Sequence, residues 1–375
     1  MKSLGKTLLI AGGGTGGHIF SGIAVAEVWT KQGGEVLFVG TALGQESRLV
    51  PEYGFRLKLI KVGRLKGGGI IGKLRTFCGL PKAMWQARKI LKKAGPDYVF
   101  GMGGYASGPT LFMARLMGLK TAIIEQNAYP GFTNRVLGKF VQHVFLAFPE
   151  CSRHFSKEKR IVSGNPLRGS IEHREYIRSQ EKFTLFLFGG SQGARKLNEI
   201  FIMALKKLPA LWDKLAIYHQ AREEDLATIQ EFYKENAIEA TVETFFTKMS
   251  EIYQQAHLVI CRAGAGTVTE LALSGRPSIL VPYPYAADDH QTYNAKALED
   301  AGAAVMIKDS DLSAEKLKYE LEELIKNKHR RDSMSKQLKK MAKTDAAEII
   351  ACHILNSHMK PANYTNHEVH EGHEV

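Results

Sequence analysis

The sequence predicts an α/β protein made of two doubly wound, parallel-sheet domains. Short apolar runs end in glycine-rich turns that open helices. The pattern stops at a polar stretch, residues 168–182, and then begins again. A chain of 375 residues also exceeds one ordinary core. Strands alternating with helices argue for parallel sheets covered on both faces.

The elements follow in order. Leu8 to Ala11 reads as a strand running into Gly12-Gly13-Gly14-Thr15-Gly16-Gly17-His18, then a helix from Ile19 to Trp29. Val36 to Val39 is the next strand, and Tyr98 to Phe100 enters a second glycine turn, Gly101 to Gly108. Thr121 to Ile124 is a further strand. Pro166 favours an extended Asn165, which places a hinge at residues 165–168. Phe183 to Phe188 opens the second domain and leads into Gly189-Gly190-Ser191-Gln192-Gly193-Ala194 and a helix. Leu215–His219, Thr241–Phe245, Leu258–Cys261 and Ser278–Val281 read as its later strands. From Leu312 to about His353 the chain reads as helical and charged. The polar end, about 357–375, carries Pro361, His367, His370 and His373 and reads as a disordered, solvated tail.

Composition narrows the function. Hydrophobic residues are 44% and charged residues 24%, which excludes a wholly disordered or collagen-like chain. The net charge of +13 points to an anionic partner: nucleic acid, a membrane surface or a phosphorylated substrate. No aromatic-basic reading motif or helix-turn-helix pattern is visible, so nucleic acid ranks low. Cys78, Cys151, Cys261 and Cys352 form no CxxC pair, which favours reduced thiols over a zinc knuckle or disulfide framework. The apolar run after Lys2 and Lys6 is too short for a secretion signal, and no apolar run spans a bilayer. A cytoplasmic protein able to lie against a membrane is expected.

Glycines between a strand and a helix let backbone approach a phosphate, and the helix end offers unpaired N–H groups. One such turn is equally an empty βα connection; four at strand ends point to ligands. The Gly12 loop has spacing close to G-x-G-x-x-G, but the second strand ends at Gly40-Thr41 with Glu46 only later. An acidic residue at that strand end would be needed for a nicotinamide ribose. The richest segment is Cys261-Arg262-Ala263-Gly264-Ala265-Gly266-Thr267-Val268-Thr269-Glu270, with a helix starting near Thr267. Glu270, in the first turn, either complements the helix dipole or accepts hydrogen bonds from both hydroxyls of a ribose. Asp288 to Asn294 begins another helix, either an ordinary capped start or a sugar-facing one.

The GGGTGGH loop, Gly103-Gly104-Tyr105-Ala106-Ser107-Gly108-Pro109, Glu125-Gln126-Asn127, Gly164-Asn165-Pro166-Leu167-Arg168, GGSQGA and the Arg262–Glu270 stretch occur in order. Together, over about residues 6–355, they resemble the MurG family. Its members are bacterial UDP-N-acetylglucosamine:lipid I N-acetylglucosaminyltransferases of peptidoglycan synthesis, in glycosyltransferase family 28. The resemblance implies a GT-B fold, two Rossmann-like domains with a cleft between them. Residues 1–167 would form the acceptor and membrane-associating domain, and 168–339 the UDP-sugar donor domain. A helix near 340–356 would pack back on the first domain.

By the same resemblance, Ser191 and its neighbours contact the diphosphate, Glu270 the ribose and backbone near Phe246 the uracil. Ala265, Gly266, Thr267, Arg168 and Gln291 are further donor contacts, while Thr15, Gly16, Gly17 and Asn127 line the first domain's side. His18 is the candidate general base, because imidazole has a suitable pKa and a helix N-terminus keeps it neutral. That field also opposes the imidazolium that would form; the competing reading has His18 only orienting a phosphate or capping the turn. An α-linked donor and a β-linked product imply inversion by one in-line displacement. Asp309-Ser310-Asp311 matches D-x-D, but loop and N-cap chemistry explains it better. No metal and no organic cofactor are expected; helix N-termini and polar groups would stabilise the leaving diphosphate.

Between Glu52 and Asp97 no acidic residue occurs, while Lys and Arg number twelve. Apolar residues from Ile71 to Leu91 suit an amphipathic helix or two broken at Pro81, either a core stripe with a basic outer face or a surface for anionic lipid. With Lys139 and Phe140 it would dock the enzyme peripherally on the cytoplasmic face of the inner membrane, within reach of a cell-wall synthesis complex. The partners implied are UDP-N-acetylglucosamine and lipid I. Rival readings are a sugar-nucleotide epimerase and a non-catalytic UDP-sugar sensor of the same architecture.

Overall fold

The computed structural model describes residues 5–14, 16–62, 69–167, 181–190 and 194–356, with side chains of 69–78 left out. Thr15, Arg168 and Ser191, and the tail with His367, His370 and His373, lie outside the described residues.

The first lobe runs β1 (Thr7–Ala11), α1 (Gly16–Lys31), β2 (Glu35–Gly40), α2 (Glu46–Glu52), β3 (Arg56–Leu59), α3 (Gly69–Ala94), β4 (Tyr98–Gly101), α4 (Ser107–Leu116), β5 (Lys120–Glu125), α5 (Phe132–Leu137), β6 (His143–Leu146) and β7 (Arg160–Val162). The second runs β8 (Phe183–Phe188), α6 (Arg195–Leu205), β9 (Leu215–Gln220), α7 (Leu226–Glu235), β10 (Glu239–Glu243), α8 (Met249–Gln255), β11 (Leu258–Cys261), α9 (Ala265–Ser274), β12 (Ser278–Leu280), α10 (His290–Asp300), β13 (Val305–Met306), α11 (Ala314–Lys326), α12 (Lys328–Met341) and α13 (Ala346–Asn356).

Each lobe holds one parallel sheet, ordered β3-β2-β1-β4-β5-β6-β7 and β10-β9-β8-β11-β12-β13. Central strands such as β1, β4, β8 and β11 are almost continuously apolar because helices cover both faces. The strand order reverses between β1 and β4, and between β8 and β11. Ligand crevices open at such reversals, beyond the carboxyl ends of the strands. The glycine loops of the sequence sit there.

α13 packs its apolar face, Ala347, Ile350, Ala351 and Ile354, into the first lobe's core beside Ile19, Ile23 and Ala26 of α1. α12 instead packs on the second lobe, where Leu338 joins the cluster around Val268 and Leu271 of α9.

Four local expectations are corrected. β10 ends at Glu243, two residues short of Phe245, because it is an edge strand with alternating exposure. α3 does not break at Pro81: one helix carries the proline in its interior. The cost of an interior proline, about 3 kcal/mol from the lost hydrogen bond and the ring clash together, is offset by packing through buried Ala83, Ala87 and Leu91. α9 begins at Ala265 rather than Thr267, so Glu270 falls in the second turn and does not complement the dipole. The N-cap of α11 lies outside the Asp309-Ser310-Asp311 triplet: it is Ser313, whose side chain accepts from Lys316 N at 3.2 Å.

Candidate functional site

The first wall of the cleft is built from two interlocked glycine turns. Gly13 N donates to Gly103 O at 3.1 Å. A Cβ on Gly12 would lie 2.2 Å from Gly103 O, and one on Gly104 would lie 2.1 Å from Gly13 O. Both residues also have positive φ, so no other residue lets these backbones meet.

Glu46, buried at the start of α2, braces this turn from below. Its Oε2 accepts from Gly14 N at 2.8 Å, and its Oε1 accepts from Thr41 N and Thr41 Oγ1, each at 2.8 Å. The acidic residue that arrives too late for a ribose thus shapes the loop itself. One of the loop's amides is already paired with a carboxylate, so Gly14 N is not offered to a phosphate.

His18 stands in the first turn of α1, with its ring against Gly103, where a Cβ would come within 3.1 Å of Cε1. Its pKa is lowered, chiefly by burial. Sequence reasoning assigned that neutrality to the helix N-terminus; desolvation is the larger cause. Gln126 and the Met102 backbone act in the opposite direction. Neither reaches hydrogen-bond geometry: His18 Nδ1 and Gln126 Nε2 are both buried and unpartnered among the described residues. His290, at the start of α10 in the second lobe, also acts to lower the His18 pKa. Gly17, one residue earlier, has open space where a Cβ would project.

Asn127 lies on a loop organised by Glu125, a buried carboxylate whose pKa burial raises. Glu125 Oε1 accepts from Asn127 N at 3.0 Å and Nδ2 at 3.1 Å. Its Oε2 accepts from Gly131 N at 3.1 Å and Asn134 Nδ2 at 2.8 Å. The sequence shows Glu125-Gln126-Asn127 as a cluster, but not that the glutamate is its anchor.

The opposite wall is the N-terminus of α9. Gly264 is the N-cap and supplies no side-chain cap, and a Cβ on Gly266 would meet nothing within 4 Å. Among the described residues the first-turn amides of Ala265, Gly266 and Thr267 therefore lack a side-chain acceptor, the arrangement that receives anions. Arg262 supports the preceding turn: its Nη1 donates to Val281 O (3.1 Å), Pro282 O (3.0 Å) and Asp309 Oδ1 (2.8 Å). Lys196 binds Asp309 Oδ2 at 2.9 Å. Both oxygens of the apparent D-x-D aspartate are thus held by basic side chains of its own lobe.

Gln291 Oε1 accepts from Ala263 N at 3.1 Å and Tyr283 N at 2.9 Å, which leaves its Nε2 as the end not used in shaping these turns. Glu270 is half-buried, and its Oε2 accepts from Tyr253 Oη at 2.9 Å. Burial raises its pKa to about 7, and the Tyr253 hydrogen bond opposes the rise. The Phe246 side chain is buried edge-on against Phe186 and Tyr218, which leaves only its backbone for a ligand. Its neighbour Phe245 is 64% exposed. Gly16, Gly17, His18 and Asn127 are thus on one wall, and Ala265, Gly266, Thr267, Glu270 and Gln291 on the other. Sequence reasoning missed the supporting roles of Glu46, Tyr253 and Asn294, because each acts on a partner distant in the chain, and that of Glu125, whose loop curls back on it only in the fold.

Comparison with known proteins follows this geometry. The glycosyltransferase family 28 N-terminal domain matches residues 8–146, and the family's C-terminal domain matches 184–350. A Myxococcus xanthus protein is 46% identical over 349 residues, 92% of this chain and 91% of its own length. A Citrifermentans bemidjiense protein is 44% identical over 348 residues, 92% of this chain and 97% of its own length. Both are named UDP-N-acetylglucosamine--N-acetylmuramyl-(pentapeptide) pyrophosphoryl-undecaprenol N-acetylglucosamine transferase. The crystal structure of Acinetobacter baumannii MurG superposes with a TM-score of 0.78 at 33% identity, covering 93% of this chain and 99% of that one. Two facing parallel-sheet lobes, both family domains in order and identity along nine-tenths of the chain lead to one assignment: this chain belongs to glycosyltransferase family 28, as a member of its MurG branch.

Proposed function

We propose that the protein transfers N-acetylglucosamine from UDP-N-acetylglucosamine to the C4 hydroxyl of the muramyl sugar of lipid I, forming lipid II. The activity is that of an inverting hexosyltransferase in peptidoglycan synthesis. The observation that carries the reading is the facing of the two walls: Asn165 accepts from Ser21 Oγ of α1 at 2.8 Å and donates to Thr269 Oγ1 of α9 at 3.2 Å, which sets the helix of His18 beside the uncapped α9 amides. The donor lies along the second lobe. Its uracil meets backbone at Phe246, its ribose meets Glu270, and its diphosphate meets Ser191, Ala265, Gly266 and Thr267. Arg168 and Gln291 complete the donor contacts. The lipid-linked acceptor approaches the first wall at Thr15, Gly16, Gly17 and Asn127.

His18, neutral through burial, takes the proton of the attacking hydroxyl. The hydroxyl oxygen bonds to the anomeric carbon as that carbon's bond to the diphosphate breaks, and UDP leaves with the electron pair. Charge growing on the diphosphate is met by helix N-terminal amides. Labelled N-acetylglucosamine supplied as the UDP-sugar should appear on a lipid-linked muramyl acceptor. Free epimerised sugar, or binding without turnover, would replace this reading with one of its rivals.

The acceptor's lipid also implies peripheral attachment at the cytoplasmic membrane face. Among the described residues no helix is long and apolar enough to cross a membrane. Residues 1–167 contain 24 Lys and Arg against 8 Asp and Glu, whereas 168–375 contain 27 against 30. The basic excess therefore belongs entirely to the first lobe. Phe112, Leu116, Phe132, Val136 and Phe140 are exposed on that lobe, around α4 and α5, next to Lys139. Apolar side chains among basic ones suit an anionic bilayer surface.

A further inference from the structure

The lobes are tied together by carboxamides. Asn294 of α10 is 0% exposed. Its Oδ1 accepts from Ala128 N of the first lobe at 2.8 Å. Its Nδ2 donates to Asn127 Oδ1, also of the first lobe, at 3.1 Å and to Ala263 O of the second lobe at 3.1 Å. One side chain thus grips the loop after β5 and the turn before α9. Asn127 is held on its far side by Glu125, so the strut ends on a buried carboxylate rather than on mobile backbone. The neighbouring rings Tyr129 and Tyr293 stack across the same junction, with centroids 4.6 Å apart and planes 18° apart.

Apolar packing alone lets two surfaces slide, whereas satisfied buried hydrogen bonds select one register. The two gripped segments are those that place the reacting groups. The Ala263 turn leads into the α9 amides, and the Asn127 loop carries Gln126, which lies beside His18. A misplacement of about 1 Å between such groups costs on the order of 100-fold in rate.

We propose that Asn294 is a positioning residue of the transfer reaction. Its carboxamide fixes the Asn127 loop of one lobe against the Ala263 turn of the other, and so sets the spacing between base and donor. The proposal rests on the transferase reading above but is tested separately from it.

The experiment is a double-mutant cycle on the full chain with Asn127→Ala, Asn294→Ala and the pair, read as kcat for transfer and as Kd for UDP. Each single variant should lower kcat by roughly 10- to 100-fold while UDP affinity stays within about threefold. The double variant should lose less than the product of the two single losses, because both changes remove the Asn127–Asn294 bond, while Asn294→Ala also removes the bonds to Ala128 N and Ala263 O. Losses in kcat that multiply in the double variant would overturn the proposal, as would a UDP affinity that falls in step with kcat. Should Asn294→Ala melt below the assay temperature, Asn294→Asp keeps the acceptor for Ala128 N and loses both donations; the same two readouts then decide. Wild-type turnover tests the transferase reading, and the cycle tests the strut.

Discussion

The Tyr253 hydroxyl donates a 2.9 Å hydrogen bond to Glu270 Oε2, from the end of α8 to the middle of α9. Tyr253 is buried among aromatic rings, with Phe186 and Phe188 edge-on to it, so its hydroxyl is held in place. One oxygen of Glu270 is therefore engaged inside the protein, and the proposed ribose contact falls to the other.

On the proposed donor site, this pair should give donor binding a pH dependence. Burial raises the Glu270 carboxyl to about 7, so it is neutral below that pH and ionised above it. A ribose diol needs the ionised acceptor. Uridine, which has no titrating phosphate, should bind more tightly as pH rises from 5.5 to 7 and level off above 8. Tyr253→Phe removes a bond that favours the ionised form and should move the midpoint upward. Calorimetric titration across pH checks both; a flat uridine profile would remove Glu270 from the ribose.

His18 should limit turnover on the acid side. Its pKa is depressed, so the imidazole is neutral and basic throughout the neutral range and is lost as a base only below its ordinary titration range. At saturating donor, kcat should hold through the ordinary imidazole midpoint of about 6.5 and fall only on further acidification. His18→Ala should cut kcat by about 10²–10⁴-fold with little change in UDP affinity. Unchanged kcat would eliminate it as the base and favour its role as a turn cap.

Glu46 should stabilise the first lobe more than it serves chemistry. Glu46→Ala strips acceptors from Gly14 N, Thr41 N and Thr41 Oγ1 and leaves a cavity under the glycine turn. The cost should be about 3 kcal/mol, read by urea denaturation. Glu46→Gln retains one acceptor oxygen and should lose less; equal losses would argue against the hydrogen-bond account.

Membrane docking should need both charge and apolar surface. Leu116→Glu should reduce recovery on vesicles containing anionic lipid about tenfold or more, because burial of a leucine is worth about 1.5–3 kcal/mol. High salt should release the wild type. Equal recovery on neutral and anionic vesicles would discard the electrostatic part.

Most of the architecture was legible in the sequence, because central parallel strands are apolar on both faces. Phe183–Phe188 and Leu258–Cys261 have the bounds read from sequence. The edges of the first sheet were not, and those of the second were only approximate. β3 (RLKL) alternates with basic residues, β7 (RIV) is only three residues long, and the apolar Phe245-Phe246 drew β10 forward. Pro81 read as a break because a local rule ignores the packing that holds α3 together.

For the site, the chain order alone determined where backbone could approach a ligand, since glycine between a strand and a helix leaves room whatever lies nearby. It also determined which polar side chains accompany those turns: His18, Asn127, Glu270 and Gln291. Only the tertiary structure decided what each of them can still do. Glu46 takes an amide of the first glycine loop, Asn294 takes the oxygen of Asn127, Tyr253 takes one oxygen of Glu270, and two turns take the oxygen of Gln291. The reason is physical. A polar atom's remaining hydrogen-bonding capacity depends on neighbours up to 167 positions away in the chain, and burial shifts a pKa only once the fold has removed the water.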